Sequence, residues 1–150
     1  MRDHFYTKYK HKIVSTEKLL LKLKKKNLKK LIMCHGVFDV VHPGHVRHLV
    51  YAKSRADLLL VSITSDKFIN KGIYRPHVPE KIRALNIAAF EMVDYVLIDN
   101  NATPIKNIKK IKPDFFAKGF EYNSKETQKI ETIKEIEAIK SYGGKIIFTP

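Results

Sequence analysis

The sequence predicts an α/β fold, a doubly wound parallel sheet of about five strands with helices on both faces. Three observations carry this reading. Short apolar runs alternate with helical patterns along the whole chain. The run Leu58 to Val61, extended by Ser62 and Ile63, is too continuously apolar for a sheet wetted on one face. The polar clusters sit at the carboxyl ends of the runs, where parallel sheets bind ligands.

The elements follow in order. Residues 1–12 read as a loosely held polar arm. Ser15 is an N-cap for an amphipathic helix with Leu19, Leu20, Leu23 and Leu28 inward, ending near Asn27. Leu31 to Cys34 is the first strand, broken by Gly36, and the chain turns through Phe38 and Asp39. A helix starts at Pro43 with Val46, Leu49, Val50 and Ala56 on one face. The second strand is 57–63, followed by a polar connection from Lys67 to His77. Pro79 opens a helix whose inward positions are Ile82, Leu85, Ala88, Ala89 and Met92. Tyr95 to Ile98 is a strand, Pro104 to Ile111 a short helix, and Asp114 to Ala117 another strand. The last helix, about Lys125 to Ser141, lines up Ile130, Ile133, Ile136 and Ile139 and stops at Gly143 and Gly144. A fifth strand begins at Lys145. There is no repeat or second domain. Residues 1–29 form a basic arm and a helix packed on the sheet, and 30–150 form the main domain.

Composition narrows the possibilities. A chain of 150 residues, 44% hydrophobic, supports one domain with a proper core. No apolar run approaches the roughly 18–20 residues needed to span a bilayer, and the N-terminus has no apolar signal region. Cys34 is the only cysteine and lies in a strand, so it reads as core in a reducing compartment. A cytoplasmic protein without a membrane partner is expected. Of the net charge of +14, residues 1–30 supply +9, mostly as lysine. Two readings apply: a solvated helix face, or a region that attracts anionic substrates or polymers. Basic residues do not interleave with aromatics, so nucleic acid is not the expected partner.

The chemistry concentrates between His35 and His45. His42 and His45 stand three apart at a helix start, a spacing compatible with structure, with zinc or with phosphate. Their position after a glycine turn, where backbone N–H groups converge, favours an anion. Gly44 between them lets a phosphate approach the backbone. Lys71, Arg75, Arg83 and Lys118 lie at or beyond strand ends and would converge as a polyphosphate clamp. Asp39 would orient a histidine, cap the turn or hold Mg²⁺ through water. Asp66 faces a ribose or a metal, or is a strand-end turn residue.

His42-Pro43-Gly44-His45 after Gly36-Val37-Phe38-Asp39 resembles the HxGH signature of the cytidylyltransferase-like nucleotidyltransferases. The likeness runs from about Lys12 to Pro150 and includes Thr64 to Asp66, Lys71-Gly72, Arg75-Pro76, Arg83 and Lys118 to Tyr122. It is nearest to the nucleotidyltransferase domains of ADP-heptose synthases, with glycerol-3-phosphate cytidylyltransferases more distant. The resemblance implies a Rossmann-like fold and attack of a phosphate monoester on the α-phosphate of ATP or CTP, with Mg²⁺ carried on the phosphates. His42 and His45 would stabilise transition-state charge, Lys71 would bind phosphate, and Arg83 would support it. His35 to Phe38, Gly44, and Lys118 to Phe120 would hold the nucleotide. The acceptor would be a sugar or polyol phosphate for surface polysaccharide, or alternatively a phosphorylated amine or alcohol. A homodimer, and fusion to or action with a sugar kinase, are further implications. A non-catalytic nucleotide- or nucleic-acid-binding module is the reading from another class.

The sequence departs from the family at His35, where asparagine or tyrosine is frequent, and at Glu121, where aspartate is common. Relatives also carry a Ser/Thr-rich phosphate-binding turn after the fifth strand. This sequence stops at Pro150, so truncation before that turn is expected.

Overall fold

The computed structural model describes residues 3–123 and 129–150. Helix α1 (His4–Tyr9) and a 3₁₀ turn precede α2 (Thr16–Lys25). Then β1 (Leu31–Gly36), α3 (Pro43–Lys53), β2 (Leu58–Thr64), α4 (Glu80–Ala88) and β3 (Tyr95–Asp99) alternate. The chain closes with α5 (Ile105–Ile111), β4 (Phe115–Gly119), α6 (Ile130–Lys140) and β5 (Lys145–Thr149). All strands pair in parallel, in the order β3-β2-β1-β4-β5. The order reverses beside β1, which opens a crevice at the carboxyl ends of β1 and β4.

Side-chain alternation divides the core. Ile32 and Cys34 face α3 and α4 with Leu59, Val61 and Ile87. Leu31 and Met33 face the opposite layer with Leu19, Leu58, Leu60, Ile108 and Ile139. Every residue of β2 is buried, as its continuous apolar run requires. Burial pushes the Cys34 thiol far up, consistent with an inert core residue.

Several sequence expectations shift. The loosely held arm contains a helix: Asp3 caps α1 by accepting from the N–H groups of Phe5 and Tyr6, and Tyr9 packs on the core. Ile13 makes a parallel bridge to Val96 at the sheet edge. Helix α2 is capped by Ser15 as expected, but Leu28 lies beyond its end and is 97% exposed. On α3, Leu49 and Ala52 are buried while Val50 points outward.

On α4 Leu85 and Ala88 are buried as expected, but Ile82 is 47% exposed, and Arg83, Ala84 and Ile87 are fully buried in addition. A buried, fully bonded arginine does what the pattern assigns to an isoleucine. On α6, Ile130 and Ile133 are exposed, and Thr132, Glu135, Ala138 and Ile139 form the inner face. The expected start of that helix near Lys125 lies outside the described residues.

Candidate functional site

A crevice of about 510 Å³ opens where the sheet order reverses. Its lining includes His35, Gly36, Val37 and Phe38 from the end of β1, and His42, Gly44, His45 and His48 from the start of α3. Lys71, Gly119, Phe120, Glu121, Tyr122, Thr149 and Pro150 complete it.

The histidine pair is built by the helix start. His42 is the N-cap of α3, and its Nδ1 accepts from the Gly44 N–H at 3.1 Å. The His42 N–H donates to Nδ1 of His45 at 3.3 Å, a reciprocal cap made by two imidazoles. With both Nδ1 atoms accepting, each neutral ring carries its proton on Nε2. The rings stack at 3.9 Å and 32°. Phe38, with φ of 51°, buttresses His45 at 5.1 Å. Burial lowers the His45 pKa, and the neighbouring His42 and Lys71 lower it further, which favours the neutral donor form. A Cβ at Gly44 would stand 2.8 Å from Cε1 of His42, so this position admits only glycine beside the ring as placed.

Of the four cations expected to form a clamp, only Lys71 lines the crevice. Arg83 is fully buried behind it. Its Nε donates to the Val78 carbonyl, Nη1 to the carbonyls of Val37 and Thr64, and Nη2 to Asp66 at 2.6 Å. Asp66 also accepts from the Glu80 N–H, while Glu80 accepts from the Asp66 N–H. Asp66 therefore ties β2 to the start of α4 instead of facing a ribose.

Arg75 donates to Asp39 at 2.9 Å, and Asp39 also accepts from the N–H groups of His77 and Val78. Burial pushes the Asp39 carboxyl up, but the two N–H groups and the guanidinium outweigh it and hold it low. Asp39 anchors the loop that follows Lys71. It lines a neighbouring apolar hollow with Val40, Val41 and Phe90, not the crevice. Lys118 donates to Glu135 at 2.5 Å and lies 4.6 Å from the Tyr122 ring. The physical reason is common to all these corrections. Opposite charges brought close at strand ends pair with one another, at half-exposed positions as well as buried ones.

The same helix, α3, carries a residue that sequence reasoning missed. His48 Nδ1 is 2.6 Å from the Thr149 hydroxyl, which donates to the Lys118 carbonyl. Burial lowers the His48 pKa; Glu121 raises it, and His45 and Lys118 lower it further. The spacing His42, His45, His48 on one helix face was the available signal. At Gly119 a Cβ would meet the Glu121 carboxylate, so that side chain folds back over the bare glycine.

His35 is held from both sides: Nδ1 is 2.9 Å from the Ser62 hydroxyl and Nε2 is 3.3 Å from that of Thr64. Burial lowers its pKa to about 4, against a raising effect of Asp99, with Lys118 lowering it further. Asp99, fully buried at the end of β3, accepts from Asn101 through Oδ1, while its Oδ2 has no protein partner among the described residues. No group of three His, Cys, Asp or Glu side chains among the described residues can hold a metal. The donor set therefore does not fit a protein-ligated ion, and no step is assigned to one.

The family model described as cytidylyltransferase-like matches residues 33–143. The bifunctional protein HldE of Campylobacter concisus is 37% identical over 97% of this chain, and that of Helicobacter pylori strain J99 is 42% identical over 86%. The chain spans only 31% and 28% of those relatives' lengths. A lipopolysaccharide core biosynthesis protein from Thermoplasma volcanium superposes with a TM-score of 0.67 at 26% identity, covering 81% of this chain and 97% of that one. With the HxGH residues assembled in one crevice and most of the chain matched, this protein belongs to the cytidylyltransferase-like family of nucleotidyltransferases.

Proposed function

We propose that the crevice transfers a nucleoside monophosphate from ATP or CTP to a sugar or polyol phosphate, for synthesis of a nucleotide-activated sugar. An acceptor phosphate oxygen attacks the α-phosphorus, the bond to the β-phosphate oxygen breaks, and pyrophosphate leaves. The acceptor phosphate is already anionic, so no general base is required. The observation that carries this reading is the reciprocal imidazole cap, which commits both Nδ1 atoms to the backbone. The two Nε2–H groups have no protein acceptor among the described residues and are available to phosphate oxygens as charge develops. Lys71 supplies the positive charge beside them. Mg²⁺ would arrive with the triphosphate.

The sugar-phosphate acceptor is supported by the likeness to the two-function HldE proteins and to the lipopolysaccharide core biosynthesis protein. Partnership with a sugar kinase, as a fused or separate protein, belongs to the same proposal. The test offers ATP or CTP with a panel of sugar, polyol and amino-alcohol phosphates and measures pyrophosphate release. Both the 150-residue chain and a chain extended past Pro150 are assayed. Release that requires one acceptor and is lost in His42→Ala supports the reading. No release with any pair, or equal release by the variant, overturns it and leaves a binding module.

A further inference from the structure

We propose that the end of the domain opposite the crevice, at the amino termini of the strands, is a docking face for an anionic lipid bilayer. In an all-parallel sheet the connecting helices run back and deliver their carboxyl ends to that side. Lys24, Lys25 and Lys29 emerge there from α2 and its following turn, and Lys109 and Lys112 from α5 and its cap. All five are exposed, and none forms an ion pair among the described residues. Three of the acids at this end are consumed locally, while Glu91 after α4 and Glu137 in the last turn of α6 stay exposed. Asp57 accepts the Lys30 N–H, Asp94 the Leu59 N–H and the Lys53 ammonium, and Asp114 the Leu31 N–H and the Lys30 ammonium. Lysines in a last helical turn complement the helix dipole, but Lys29 and Lys112 stand outside the helices.

Two leucines accompany this charge without a core to enter. Leu21 is 61% exposed, and its neighbours one turn away on α2 are Glu17, Lys18, Lys24 and Lys25. Leu28 is 97% exposed with φ of 71°, a backbone region that suits glycine or asparagine better. Apolar side chains among exposed lysines are the combination that inserts at a charged headgroup layer. RNA gains nothing from leucine, and residues 16–30 and 105–114 contain no arginine, phenylalanine, tyrosine or tryptophan to stack or fork. The proposal departs from the sequence-based expectation of no membrane partner, which rested on the lack of an apolar run long enough to span a bilayer. No described helix is long and apolar enough to cross a membrane, and surface adsorption does not require one. Docked this way, the crevice faces away from the bilayer.

Vesicle flotation of the full chain tests the proposal, using phosphatidylcholine alone and phosphatidylcholine with about one-third phosphatidylglycerol. Binding is expected to the anionic vesicles only and to weaken with salt. Reversing Lys25 and Lys29 to Glu should weaken it roughly a hundredfold. A charge-matched reversal of Lys67 and Lys81 should change it less than about threefold. Leu21→Gln with Leu28→Asn, both compatible with the local backbone, should weaken it about tenfold. No flotation, or leucine variants that bind like the parent chain, overturns the proposal. So does tighter, leucine-independent binding of mixed-sequence RNA in the same assay.

Discussion

Arg83 Nη1 donates to two carbonyls at once, Val37 at 2.7 Å and Thr64 at 2.8 Å, and so fixes the turn after β1 to the end of β2. The histidine pair stands directly beyond that turn. Replacing Arg83 by Met removes the donors to the Val37, Thr64 and Val78 carbonyls and to Oδ1 of Asp66 and should cost about 3–5 kcal/mol, read from urea unfolding. Arg83→Lys should recover little, because an ammonium cannot make the forked contacts.

His42→Asn separates the two duties of its ring. Asparagine is a good N-cap, so thermal stability should fall by less than about 1 kcal/mol. Nucleotidyl transfer, which needs the Nε2 donor, should drop about 10²–10³-fold. Pyrophosphate release and calorimetry on the same preparation distinguish the outcomes; parallel losses would show the ring to be merely structural.

Gly44→Ala probes the space above the imidazole. The added methyl would meet Cε1 of His42 at 2.8 Å and force the ring to turn. Turnover should fall at least about tenfold, with little change in melting temperature, since alanine is favoured over glycine within a helix.

Asp39→Ala releases the loop that follows Lys71. Loss of the contacts to Arg75, His77 and Val78 should destabilise the fold by about 1–3 kcal/mol. Hydrogen exchange should accelerate at the Val78 amide while amides in β2 stay protected. An unchanged Val78 amide would refute the anchoring role.

Acid should destabilise the protein through His35. Its folded pKa of about 4 lies below the ordinary 6.5, so in the window between them the unfolded chain binds the proton more readily. The stability is complete above about 6.5 and is lost as pH falls toward 4, by up to about 3 kcal/mol. Urea midpoints across this window should slope upward with pH, and His35→Asn should flatten the slope.

The sequence by itself determined the alternation of strands and helices, the position of the crevice and the imidazole pair. Each depends on local spacing: apolar runs for strands, a glycine turn before Pro43, and histidines three apart. Ten of the residues expected at the site line the crevice, including His35, His42, His45 and Lys71. The tertiary structure alone decided the fate of the remaining charges. Asp39, Asp66, Arg75, Arg83 and Lys118 all occur near strand ends, but they are spent on one another, on Glu135 or on backbone groups. Periodicity ranks Arg83 as a surface residue and Ile82 as core, because it contains no information about a buried acceptor set. Which cations stay available to a ligand depends on which carboxylates and carbonyls the fold brings near them, and those partners lie many residues away in the chain.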